Sequence, residues 1–542
     1  MNSGILRLRL SRSLPFFLAA ALVLIIILTS HTRIGGSHDG SRMAMIEKKI
    51  KKNVIWTETS AFFNTVDMVY DHGHFYSDKP PVFTLYTAGL LYPFRHWVHI
   101  TPNDSLIYYL IVLSSAGISA LGLIFLMAYV LELMGAEKRL TFHILSGSVL
   151  GTATLPFMLT YASHLTEALL CFVSFAGLIY CRTKKGTMKI ALLMGAALGL
   201  STVIHPFMGC VFLATGGLYF LIRKNLTLAV ALGLSFVFVV FLGFGLNRIL
   251  FQSWRPYYFD PVKYLYAIKT DKKIMLSGFF MDPKLRGLTR EILIQRSEEL
   301  GLPKNLERYI LGRFEIESGQ KHDHAGFVVH KWTEWDFATF SPLILFCCIS
   351  ILLSCLSRSF RYRLEYAWIF ASMLMAYLMT IYFGSLPGSS YGNRYLIPLL
   401  PVIVTAGGFC QTSEKRKKVM IILYLILFAS IIPAASRPWN TPNPAYRIFN
   451  MYFTAGLDLL IVVAWALKSK FQHYYEIILD SIRPNLLFNL LWVLWAVFQC
   501  CLYFKNLPEV FIPRMIPRSL ILMLVVPAVL MMMDRLLRKS DA

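Results

Sequence analysis

The sequence predicts an all-α polytopic membrane protein with about 14 transmembrane helices (about 12–14) and two large extracytoplasmic loops. Three observations carry that expectation. The 542 residues are 56% hydrophobic and only 15% charged, with a mean hydropathy of +0.56; a soluble domain is roughly 45–50% apolar. Apolar stretches near bilayer-spanning length recur along the whole chain. Between them, Lys and Arg fall in short clusters on alternate connections, as the positive-inside bias requires.

The expected spans are 14–30, 106–133, 141–160, 164–181, 190–204, 207–222, 226–246, 340–356, 365–383, 395–411, 419–434, 452–467, 486–503 and 517–533. The first follows Arg7, Arg9 and Arg12, the charge order of a signal peptide. No small-residue cleavage site follows it, and the run is long enough to span, so it reads as a retained signal anchor. Alternation from a cytoplasmic N-terminus places seven basic clusters inside: Lys138/Arg139; Arg182/Lys184/Lys185/Lys189; Arg223/Lys224; Arg358/Arg361/Arg363; Lys415 to Lys418; Lys468/Lys470; and Arg535/Arg538/Lys539. Both termini are then cytoplasmic. The long polar segments 31–105 and 247–339 lie outside, where loops of such length usually carry function. The chain divides into an N-terminal transmembrane module (1–246, including the loop 31–105), a large loop (247–339) and a C-terminal transmembrane module (340–542).

A formal net charge of +23 invites a nucleic-acid reading, but the charge is spread over helix connections and no basic face or binding motif accompanies it. The nine cysteines lie in or at the edges of apolar runs, which indicates neither a disulfide framework nor a zinc site. No short-period repeat or inverted transporter-like repeat is evident.

The chemistry is expected at the outer membrane face. Asp39 stands about nine residues beyond the first helix and so stays near the surface. It suits a base for a lipid-anchored substrate, or an N-cap for the basic amphipathic helix that begins near Ser41. Lys79, before Pro80 and Pro81, is kept out of a helix; it suits a phosphate contact or a lysine that snorkels to anionic lipid. Glu167 enters an apolar helix in its first turn, where an ionisable group is by default a functional candidate, although a carboxylate also favours a helix N-terminus. His205, at an outer helix end before Pro206, reads as a packed or hydrogen-bonded histidine rather than a ligand. Arg394, in a segment rich in small residues, could grip a phosphate or anchor at headgroups beside Tyr395. His322-Asp323-His324 invites a metal reading, but adjacent residues cannot easily all face one ion. Trp254, Tyr257, Tyr258, Trp332 and Trp335 read as interfacial belt residues or a sugar platform.

Asp39-Gly40-Ser41-Arg42 at the end of the first helix is followed within one loop by Asp71, Gly73, His74, Tyr76, Ser77, Asp78, Lys79 and Pro81. Together these resemble the GT-C membrane glycosyltransferases, more narrowly the bacterial branch related to protein O-mannosyltransferases and the lipid A aminoarabinose transferase. Glu167 and the Tyr391-Gly392-x-Arg394-Tyr395-Leu396-x-Pro398 segment match that branch in order and side. The resemblance implies a GT-C-like fold and inverting transfer of a sugar from a polyprenyl-phosphate donor to a lipid, glycan or protein acceptor of the cell envelope, on the outer face of the bacterial cytoplasmic (inner) membrane. It implies Asp39 as catalytic base, Glu167 as supporting acid and Lys79 and Arg394 as donor-phosphate contacts. Arg42, Asp71, His74, Tyr76, Asp78, His164 and Tyr391 are the further substrate-binding candidates. Membrane lipids are the expected surroundings, no metal ligand is assigned, and a divalent cation stays open. Two departures stand out: Asp39 is followed by Gly40 rather than a second acid, which speaks against metal chelation there, and His72 interrupts the usual Asp-Gly-His. The rival class is a transporter or flippase of lipid-linked saccharides, which should bury its polar groups at mid-membrane.

Overall fold

The computed structural model describes residues 37–56, 68–71, 74–77, 79–96, 105–184, 186–254, 342–382, 394–411, 413–435 and 486–504, with shorter pieces between 23 and 30, 453 and 463, and 519 and 537. The second large loop, with His322-Asp323-His324, Trp332 and Trp335, lies outside the described residues. So do Asp78 and Tyr391, and most of the first expected span.

Helix α1, Ser37–Lys52, turns Asp39, Arg42, Met43, Ile46 and Ile50 toward the protein at helical spacing. Lys51 pairs with Glu47 one turn back at 2.9 Å. The helix is closed by Asn53 in the left-handed region, φ 55°, which donates its N–H to the Lys49 carbonyl at 3.2 Å. A two-stranded antiparallel hairpin follows, β1 Met68–Asp71 and β2 His74–Ser77, with Asp71 opposite His74. Pro81 opens α2, Pro81–Leu91, after Pro80 in extended conformation, so Lys79 precedes the helix as its two prolines demand.

Helices α3, Ser105–Val112, and α4, Ile118–Met134, run on through a π turn at Leu113–Gly117. The next expected span, 141–160, is interrupted. Helix α5 covers Lys138–Leu150 and a single short helix α6 covers Thr154–Met158. Between them the Thr152 hydroxyl donates to the Ser148 carbonyl at 2.6 Å, lies 2.8 Å from Thr154 Oγ1 and accepts the Thr154 backbone N–H at 3.2 Å, a side-chain turn in place of helix continuation. Residues 159–163 then run non-helically into α7, His164–Thr183.

Helices α8 Met188–Ile204, α9 Met208–Ile222 and α10 Leu226–Phe251 complete the N-terminal set. Helices α8 and α10 pack along one another. A Cβ on Gly195 would stand 2.2 Å from the Leu232 carbonyl oxygen, and one on Gly199 2.9 Å from that of Phe236. The small faces of these residues therefore let two backbones meet, as in small-xxx-small membrane packing. The C-terminal set comprises α11 Pro342–Leu356, α12 Arg363–Tyr382, a 3₁₀ turn Arg394–Leu399, α13 Leu400–Phe409, α14 Glu414–Ala435 and α15 Leu486–Phe504. Where 395–411 reads as one span, Pro398 confines its start to the 3₁₀ turn. Trp368 of α12 ties the two sets together. It stacks on Phe175 of α7, centroids 6.2 Å apart, and meets Phe212 of α9 edge-on at 5.3 Å.

Among the described residues, three helices are long and apolar enough to cross a membrane: Leu106–Met134, His164–Thr183 and Leu226–Phe251. Others are apolar but shorter, so the described residues do not by themselves reach about 14 spans. The exposed apolar residues of α10, among them Leu234, Val237, Phe238 and Phe241, suit a lipid-facing surface.

The basic ends of the helices gather as charge alternation requires. Arg182 donates to the Arg361 carbonyl. Arg139 pairs with Asp534 at 2.7 Å and Glu414 at 3.0 Å, while Lys417 bridges Glu137 at 2.6 Å and Glu414 at 2.9 Å. Burial pushes the Glu414 carboxyl up, but Lys417 and Arg139 outweigh it and hold the group below the usual carboxylate range. A carboxyl depressed in the folded state stabilises above its unfolded pKa and loses that contribution as pH falls through the folded value. Thermal unfolding of Glu414→Gln against pH should therefore lose less stability below pH 4.5 than the parent does. The difference should be about 0.2–1 kcal/mol, because Glu414 is largely exposed.

Candidate active site

The opposite end of the helices carries a buried polar cluster. Asp39 is fully buried, and Tyr108 of α3 donates its hydroxyl to Asp39 Oδ2 at 2.6 Å. The Tyr161 backbone N–H in turn reaches the Tyr108 oxygen at 3.4 Å. Helix α1 begins at Ser37, so Asp39 lies within its first turn and its side chain is engaged by α3. That differs from the capping role open on sequence, in which the helix starts near Ser41.

Arg42, one turn further along α1, is buried and donates to Ser163 Oγ at 3.1 Å. Its guanidinium lies over the rings of Phe83 and Tyr161, 5.0 and 5.9 Å from their centroids, and those rings stack on each other at 5.2 Å. Tyr161 donates its own hydroxyl to Thr87 Oγ1 at 3.0 Å, and burial pushes its phenol up to about 12. Segment 159–163, freed from the helix, thus meets α1, α2 and α3 at one junction. Lys79 is also buried; its backbone N–H reaches Ser77 Oγ at 3.3 Å, and Ser77 donates to Ser41 Oγ at 3.0 Å. The hairpin and α1 are joined there, which brings Lys79 to the end of the fold that holds Asp39.

Glu167, in the first turn of α7, is fully buried between two imidazoles. His164 Nδ1 stands 3.6 Å from Oε2, and His205 Nδ1 3.5 Å from Oε1. The two rings meet edge to face at 5.7 Å. Each imidazole faces a different oxygen, and among the described residues no group of three His, Cys, Asp or Glu could hold a metal ion. The link to the Asp39 junction is short in sequence: Ser163, which accepts from Arg42, also accepts the Glu167 backbone N–H at 2.9 Å.

The ring of Tyr76 packs at right angles on Phe251, centroids 5.4 Å apart, among Met45 and Ile55. Asp71 and His74 are backbone register partners in the hairpin. Arg394 opens the 3₁₀ turn, which packs against α7. Sequence reasoning missed Tyr108, Ser163, Phe83 and Thr87 as site residues, and it read His205 as packed or hydrogen-bonded; the structure pairs it with Glu167. The hairpin had a readable signal, a two-residue His72-Gly73 connection between four-residue strands. Tyr108, one of two adjacent tyrosines near the start of an apolar helix, carried none.

This fold and site define a helical membrane protein with buried ionisable residues collected at one end of its helices. No family model and no curated protein matches the chain. Among solved structures it is similar to ArnT from Cupriavidus metallidurans bound to undecaprenyl phosphate, with 12% identity, 94% of this chain and 76% of that chain covered, and a TM-score of 0.47. It is also similar to the Archaeoglobus fulgidus oligosaccharyltransferase in complex with Zn and sulfate (13% identity, 84% and 56% covered, TM-score 0.45). A third is the archaeal oligosaccharyltransferase AglB from Archaeoglobus fulgidus in complex with an inhibitory peptide and a dolichol-phosphate (14%, 91% and 58%, TM-score 0.42). The chain thus spans a little over half the length of the two oligosaccharyltransferase chains. At this level the likeness is one of overall helical course, and the functional reading below rests on the residues of the site.

Proposed function

We propose that the protein transfers a sugar from a polyprenyl-phosphate donor to an acceptor hydroxyl or amine at the extracytoplasmic face of the membrane. The observation that carries this reading is the junction around Asp39: a fully buried carboxylate held by Tyr108, beside the buried cation Arg42, at the end of the fold where Lys79 is also buried. A carboxylate is a base, and a cation at headgroup level attracts a phosphate.

In the proposed reaction Asp39 takes the proton of the acceptor as its oxygen or nitrogen attacks the anomeric carbon. The bond from that carbon to the phosphate oxygen breaks, configuration inverts, and the lipid phosphate departs with its charge met by Lys79 and Arg394. Glu167, clasped by His164 and His205, supports the acceptor side.

The test is to add a panel of polyprenyl-phosphate sugars, each paired with lipid, glycan and protein acceptors and with and without a divalent cation, to the purified protein in detergent and follow lipid-phosphate release, with Asp39→Asn alongside. A transporter or flippase would move such lipids without releasing phosphate, so absence of release with every donor overturns the reading. A second measurement addresses the leaving group. Lys79→Met should raise the donor KM about tenfold, the worth of one charge-assisted contact, and an unchanged KM would remove Lys79 from the phosphate site.

A further inference from the structure

We propose that Tyr108 is a positioning residue for Asp39, a fixed hydrogen-bond donor that holds one oxygen of its carboxylate in place. The inference rests on the reading of Asp39 as the base.

The geometry is specific. The phenol comes from α3, 69 residues away in sequence, and meets Asp39 Oδ2 at 2.6 Å in a buried setting, a distance typical of a hydroxyl donating to a charged oxygen. A phenol has one proton to give, and its oxygen accepts in return. Here the accepting side faces the Tyr161 N–H at 3.4 Å, which directs the proton to Asp39. That N–H is available because the chain leaves helical conformation between α6 and α7; within a continuous helix it would bond to a carbonyl four residues back. Tyr161 is itself anchored, its hydroxyl on Thr87 and its ring on Phe83. The donor that faces Asp39 is therefore braced by α2 and by the break that precedes α7.

The charged and titratable groups around this junction include Arg42 on α1, Lys79 ahead of α2, Tyr108 on α3, and Tyr161, which lies within electrostatic reach of both Asp39 and Arg42. A donor to the ionised form favours that form, so Tyr108 should keep Asp39 ionised, and ready to accept a proton, to lower pH. It also fixes the direction of the attacking lone pair, which governs rate more than substrate affinity.

The experiment measures lipid-phosphate release by the full-length protein as a function of pH. In Tyr108→Phe the acidic limb of kcat should move up by about one pH unit. Plateau kcat should fall about tenfold while donor KM stays at the parent value. Replacing Tyr108 by a ring-fluorinated tyrosine, a stronger donor of the same shape, should move the limb the opposite way, and it decides the matter alone if Tyr108→Phe does not fold. An acidic limb that stays in place in both variants overturns the inference, as does a raised KM with unchanged kcat. Asp39→Asn separates the two levels. If it retains the parent rate, the base assignment itself falls. If it is inactive while the Tyr108 variants leave the limb unmoved, only the positioning role falls.

Discussion

Asp39→Asn is expected to lower lipid-phosphate release by about a thousandfold at neutral pH, in the range that removal of a general base produces. The substitution is nearly isosteric, and its amide oxygen can still accept the Tyr108 hydroxyl, so the loss should appear in kcat with the fold retained. Circular dichroism and detergent thermal stability check the second point, and the release assay checks the first. The choice of asparagine also separates the two roles that the sequence left open. Asparagine caps helices about as well as aspartate, so a residue that mattered only as a cap would give an active variant. Activity within a few-fold of the parent would remove Asp39 from the chemistry.

The largest effect on folding is expected from Gly195→Ala. The added methyl would stand 2.2 Å from the Leu232 carbonyl oxygen and 3.0 Å from its carbon, and backbone cannot swing aside as a side chain does. Helices α8 and α10 must separate over their shared length, at a cost of about 3 kcal/mol or more, the upper part of the overpacking range. Because His205 follows α8 directly, its pairing with Glu167 should loosen as well. Gly217→Ala is the control: nothing lies within 4 Å of its Cβ position, so it should be neutral or slightly stabilising, as alanine for glycine is within a helix. Thermal unfolding of both variants in detergent provides the measurement, and equal stability for the two would contradict the packing account.

Much of the fold could be read from local pattern. The run 190–204 became Met188–Ile204 and 207–222 became Met208–Ile222, because a continuous apolar stretch bounded by polar residues has few alternatives to a helix in a membrane. Lys79 was correctly kept out of a helix by Pro80 and Pro81. Glu167 stood out because an ionisable residue in an apolar helix is rare, and the structure finds it fully buried with a histidine at each oxygen. The stretch 141–160 misled. Its apolar residues suffice for one span by average, and an average over the window does not register the break between Leu150 and Thr154, where Gly151 and Thr152 interrupt the helix.

Sequence alone therefore established a polytopic helical class, the gathering of basic residues at one end of its helices, and the identity of the ionisable residues worth testing. These follow from transfer energies and helix periodicity, which are properties of neighbouring residues. The surroundings of Asp39 came from tertiary structure, because its junction joins residues 53, 69 and 121 positions apart: Tyr161 with Tyr108, Tyr108 with Asp39, and Arg42 with Ser163. Contacts at such separations depend on how the helices pack and where one of them breaks, and no local pattern encodes either.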